Sequence, residues 1–169
     1  MSLIVIDERS VPPKGLDRSA RPVVSKIQEF VFEDDYANLS LLKKIDVALP
    51  ARPVLLYAGC GADIIFPMEY MERLFSLKEL HCIFVDKERV IGQIATVLDA
   101  VGVSFARKKN VLTFYWNEML VTVDVVEADV FRMIRILTFD IYFERAFRIM
   151  KSEYTDYERI VFERLREGG

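Results

Sequence analysis

Two glycines flank a cysteine in Gly59-Cys60-Gly61, directly after the apolar run Val54-Leu55-Leu56-Tyr57-Ala58, and Asp86 directly follows a second run, Cys82-Ile83-Phe84-Val85. Glycine at the end of a buried strand allows a sharp turn and lets a ligand approach the main chain with no Cβ in the way. A carboxylate ending the neighbouring strand can accept both hydroxyl protons of a ribose. Asp129 ends a third apolar stretch and falls where the edge of a base would lie. The pattern suits a nucleoside-type ligand at one edge of a parallel sheet. Plainer readings stand beside it: Asp86 could be only a helix N-cap, and Asp129 could cap the short helical stretch at 130–136. The dinucleotide fingerprint asks for a third glycine where Ile64 stands, which argues against NAD or FAD.

Other chemistries have less behind them. Cys60 and Cys82 lack metal-ligand spacing, and His81 is the single histidine, so neither a zinc site nor a disulfide framework is expected. A net charge of −3 argues against a broad grip on nucleic acid; the best basic cluster, Arg107-Lys108-Lys109, reads as a solvated turn after a helix. No apolar run is long enough to span a bilayer and no signal-peptide pattern opens the chain, so a cytoplasmic protein is expected.

These residues need a scaffold, and 169 residues suit one domain. Residues 1–22, with Pro12, Pro13, Gly15 and Pro22 among charges, read as an arm, and 23–169 as the folded body. Apolar spacing predicts helices over 23–32 and 39–48, then a buried strand at 54–58. Pro67 suits the first turn of the next helix, with Met68, Met71, Leu74 and Phe75 inward. A second strand ends at Asp86; a helix carrying Val90, Ile91, Ile94 and Leu98 follows, capped near Gly102. Residues 111–115 and 120–126 form a hairpin around Asn117-Glu118, with Trp116 at an exposed turn and the second arm as third main strand. A short helix at 130–136, a fourth strand at 137–143 and a last helix opened by the capping box Thr155-Asp156-Tyr157-Glu158 complete the set. Strands alternating with helices imply an α/β, doubly wound, mainly parallel three-layer sheet, in spatial order three, two, one, four.

In this order and spacing the motifs resemble the class I S-adenosylmethionine-dependent methyltransferases. Residues 54–61 look like their glycine motif, Ile83-Phe84-Val85-Asp86 like their ribose-binding strand end, and Val126-Glu127-Ala128-Asp129 like their adenine-proximal turn. Phe139-Asp140-Ile141-Tyr142-Phe143 resembles their fourth strand, and Leu165-Arg166-Glu167-Gly168-Gly169 the turn before their fifth. The resemblance implies S-adenosylmethionine as cofactor, S-adenosylhomocysteine as product, and contacts from Tyr57, Ala58, Gly59, Cys60, Gly61, Asp63, Asp86, Lys87, Asp129 and Val130. Glu144 and Arg145 fall where substrate-facing residues stand, although a surface ion pair explains them too. The tail aromatics, Phe147 and Tyr157 among them, read as packing rather than as a base-stacking platform.

Departures from the family pattern are informative. Tyr57 replaces a frequent acidic residue and Asp63 a third glycine; Asp63 could meet the ligand's ammonium, or merely favour the start of the following helix. Phe143-Glu144-Arg145-Ala146 stands where amino-directed DNA methyltransferases carry Asn-Pro-Pro-Tyr, so an unidentified small-molecule acceptor is expected before nucleic acid. The distal strands are expected to be missing, leaving the fourth strand an edge to be covered by Leu3–Ile6 or by a homodimer partner. Two function classes follow: a methyltransferase, or a truncated, non-catalytic cofactor-binding or interaction module of the same fold.

Overall fold

A computed structural model of the chain describes residues 16–31, 33–145, 147, 151 and 156–167. Two short helices come first, α1 (Val24–Ile27) and α2 (Glu33–Leu41), followed by β1 (Val54–Ala58), α3 (Ile65–Leu74), β2 (Glu79–Asp86) and α4 (Ile91–Ala100). Three strands run in succession, β3 (Phe105–Lys108), β4 (Val111–Trp116) and β5 (Met119–Glu127). A one-turn helix α5 (Val130–Met133), a short β6 (Ile141–Phe143) and α6 (Tyr157–Arg164) follow.

The strands form one mixed sheet in the order β3-β4-β5-β2-β1-β6. β1 pairs parallel with β2 and with β6, and β2 pairs parallel with β5, so the core order matches the sequence expectation. The β3–β4 and β4–β5 ladders are antiparallel. Alternation sorts the side chains: Leu55, Tyr57, Leu80, Cys82 and Phe84 lie in one buried cluster with Ile65, Met68, Ile91, Ile94 and Leu98. Leu56, Ala58 and Val85 join Val130, Phe147, Tyr157 and Ile160 in the other. Helices thus cover both faces, giving the three layers, with the bulk of the helical cover on the first.

Several local expectations are corrected. Residues 42–50 are not helical, because the segment runs past the carboxyl end of α3: Ile45 N donates to Leu74 O at 2.7 Å and Lys44 Nζ donates to the carbonyls of Glu72 and Phe75. That arrangement satisfies helix-end carbonyls that have no partner inside α3. Likewise the helix expected over 23–32 is only the four residues of α1. Arg107 and Lys108 belong to β3 rather than to a turn, exposed on an edge strand whose Phe105 and Ala106 are buried. Lysine and arginine on an edge discourage pairing with another chain. Trp116 is fully buried, its Nε1 donating to Glu72 at 3.2 Å, while the turn is made by Asn117 and Glu118, both at positive φ.

The fourth strand is shorter than expected. Asp140, 4% exposed, accepts the Val54 N–H at 2.6 Å and an Arg166 guanidinium N–H at 3.0 Å. Phe139 turns away to meet the residues after α6: its N–H donates to Arg164 O at 3.3 Å and its carbonyl accepts from Arg166 N at 2.9 Å. Leu165 therefore bridges in parallel to Phe139 and takes up the start of that edge. Leu3–Ile6 and Thr155 of the capping box lie outside the described residues, and Asp156, at the N-cap of α6, makes no side-chain cap bond. Among the described residues no helix is long and apolar enough to cross a membrane.

Replacing Asp140 by Ala removes the side-chain acceptor of the part-buried Val54 N–H, so urea denaturation is expected to show a loss of about 1–3 kcal/mol. Arg166→Ala removes only the half-exposed partner and is expected to cost less; equal losses would show that the Val54 contact is immaterial.

Candidate functional site

The carboxyl ends of β1, β2 and β5 lie side by side, held by backbone bonds that continue the ladders. Gly59 N donates to Val85 O at 2.9 Å, and Ala128 N donates to Asp86 O at 2.9 Å. Gly59 and Gly61 take φ of 60° and 53°, a region open to glycine at no steric cost. The Asp86 carboxylate fastens the loop to β2, accepting Gly61 N at 2.8 Å through one oxygen and Glu88 N at 3.0 Å through the other. A carboxylate has about four lone-pair positions, so these two bonds leave room for two more donors. Asp86 is not a helix N-cap, because α4 begins only at Ile91 with Val90 as its N-cap; its bond to Glu88 N closes a local turn, and its free lone pairs make it a candidate ribose acceptor.

Between these ends is a cavity of about 440 Å³ lined by Gly59, Asp86, Lys87, Glu127, Ala128, Asp129, Val130, Phe131 and Phe147. Asp129 caps α5, its Oδ1 accepting Phe131 N at 2.9 Å. The capping reading of Asp129 is therefore realised, and the remaining lone pairs lie on the rim of the cavity. Three carboxylates and one lysine line the space, which gives it negative character.

The other sequence-derived candidates sit elsewhere. Tyr57 and Ala58 are buried on opposite faces of β1, and Cys60 and Gly61 are not part of the cavity lining. Burial drives the Cys60 thiol far above its ordinary range, so it stays protonated. Asp63 accepts the Tyr57 hydroxyl at 2.8 Å and Phe66 N at 3.1 Å, which realises its role at the start of α3. Burial also raises the Asp63 pKa above its usual 3.8, outweighing the hydrogen bonds and the nearby Arg145.

Arg145 reaches Asp63 at 3.6 Å and Asp35 at 3.7 Å, and lies 3.3 Å above the centre of the Phe66 ring. The expected surface ion pair with Glu144 is thus replaced by pairs to other elements, since Glu144 instead accepts from Tyr142 Oη at 2.7 Å and from Lys151 Nζ at 2.5 Å. Lys151 also pairs with Glu158 at 3.1 Å.

Phe131 and Phe147 line the cavity and were missed as site residues. Their ring centres lie 5.4 Å apart, and both rings pack on Tyr157, at 5.6 Å and 5.4 Å. The helical spacing of tail aromatics signals packing, and these residues do pack; that they also face a cavity depends on the fold. Glu127 is similarly at a strand end next to Asp129, and its position in the motif was the available signal.

No protein-family model matches this sequence, and a search among curated proteins finds no match either.

Two outcomes follow from this geometry. A Cβ at Gly59 would lie 2.7 Å from Phe147 Cδ2 and would require a strained φ. Gly59→Ala is expected to destabilise the fold by about 1–3 kcal/mol. In a Phe147→Ala background part of that loss should vanish, giving a double-mutant coupling of at least about 0.5 kcal/mol; strict additivity would mean that the contact is not formed.

For Asp63 the raised pKa means that its contribution to stability is present at low pH and is lost as pH rises through the folded-state value. Wild type should therefore gain stability relative to Asp63→Asn between about pH 7 and about pH 4, read from denaturant melts at each pH. A constant difference would show that Asp63 titrates normally.

Proposed function

We propose that this chain binds S-adenosylmethionine at the carboxyl ends of β1, β2 and β5 and transfers its methyl group to a small-molecule acceptor. The observation that carries the reading is the charge of the cavity: Asp86, Glu127 and Asp129 against Lys87 alone. Phosphate-bearing ligands are met by helix N-termini, glycine-rich loops and cationic side chains, whereas three carboxylates repel them. A sulfonium ligand carries an adenosine without phosphates and a positive centre, and this lining favours both properties.

The residues fit the adenosyl portion of such a ligand. Asp86 has acceptor capacity for a ribose diol, and Val130 and Phe131 offer apolar surface to a base, with the turn at Ala128 and Asp129 along its edge. Bound there, the ligand would supply an electrophilic methyl group. The chain's own task would be to hold an acceptor in line with it and to exclude water, because proximity and orientation alone lower such barriers substantially. Arg145, part-exposed beyond the end of β6 and paired with Asp63, is the group by which an acceptor would be oriented.

Calorimetry tests this directly. S-adenosylhomocysteine at a hundred times its dissociation constant is expected to stabilise the fold by about 2.7 kcal/mol. Asp86→Ala should weaken binding by at least about tenfold, since each hydrogen bond to a charged acceptor contributes about 1.5–3 kcal/mol. Asp86→Asn keeps one acceptor oxygen and shape, and should fall between the two. ATP or NAD binding as tightly as S-adenosylhomocysteine would sink the charge argument, and no response to any of the three would remove the cofactor reading.

A further inference from the structure

The cavity ends at Gly59. The chain runs outward from β1 to β2 and on to β5, then crosses back to place β6 on the other side of β1, so the order reverses between β1 and β6 and the crevice expected to take a ligand opens there. In this chain that crevice is filled by its own side chains. Phe147, 1% exposed, lies against the open side of Gly59, with its Cδ2 only 2.7 Å from where a Cβ would stand. Arg145 covers the neighbouring ground, stacked on Phe66 and paired with Asp63. The room that glycine leaves beside the backbone is taken by a phenyl ring.

We propose that Phe147 is the specificity-determining residue of the site, setting how far a ligand extends beyond its ribose. A nucleoside with a small 5′ substituent enters the cavity as it stands. One that carries an amino-acid chain across the Gly59 backbone displaces the ring from its contacts with Phe131 and Tyr157. The apparent affinity for the longer ligand is then reduced by the fraction of molecules whose ring stands aside. The proposal rests on the nucleoside reading above and adds a ranking of ligands by length.

The test is calorimetry on the full chain, as wild type, Phe147→Leu and Phe147→Ala, against adenosine, 5′-methylthioadenosine and S-adenosylhomocysteine. Phe147→Leu retains apolar bulk and keeps the comparison informative should Phe147→Ala fail to fold; melting curves without ligand report on that. With ring displacement limiting the open fraction to about a tenth, Phe147→Ala should raise the preference for S-adenosylhomocysteine over adenosine about tenfold relative to wild type. Phe147→Leu should give a smaller gain in the same direction. Equal changes for adenosine and S-adenosylhomocysteine, or a preference shifted toward adenosine in both variants, would overturn the proposal while leaving the nucleoside site standing. If none of the three ligands binds any of the three proteins, the nucleoside reading falls and this proposal falls with it.

Discussion

Five consecutive residues of β1 lie in parallel register with five of β2, from Val54 beside His81 to Ala58 beside Val85, and the ladder continues into the loop through Gly59 N and Cys60 N on the Val85 carbonyl. Parallel strands cannot be joined by a tight turn, so the chain must leave the sheet and return through α3. That crossover covers one face and brings the end of β1 next to the end of β2. The glycine loop and Asp86 meet for this reason alone. The same carboxylate then holds the loop through Gly61 N, so the ladder and the site are mechanically one object.

The central strands were readable because each combines a compact apolar run with a clear stop: Gly59 after β1, Asp86 after β2, and Asp129 shortly after β5. Buried parallel strands have this signature, and their order followed from the alternation with helices. What escaped reading were segments whose conformation is decided by partners distant in sequence. Residues 42–50 have apolar spacing, yet their backbone and Lys44 are spent on the end of α3. The run at 137–143 is equally apolar, but Asp140 binds the start of β1 and diverts Phe139 toward Leu165. β3 was hidden by Arg107 and Lys108, whose charges are tolerated because that strand is an edge.

The site divides along the same line. Gly59, Asp86, Lys87, Asp129 and Val130 line the cavity together, and each stands at or just beyond the end of a strand that the sequence announces. Tyr57, Cys60 and Asp63 are close in sequence to Gly59 but are turned away from the cavity: Tyr57 by the alternation of β1, Cys60 into the core from the loop, and Asp63 toward the first turn of α3. Phe147 comes from more than eighty positions away and reaches Gly59 only through the return of the chain along β6. A side chain of that kind has no local pattern to betray it.

Trp116 has a consequence of a different sort. It is the single tryptophan, wholly buried where β4 turns into β5, with its indole N–H on Glu72 of α3. The cavity lies at the other end of β5, roughly 27 Å away along the nine residues of that strand. Intrinsic fluorescence excited in the indole band therefore reports on the seam between the hairpin and α3. Its wavelength follows global unfolding and is indifferent to occupancy at the far edge, which makes the protein its own reporter of folding during any titration there.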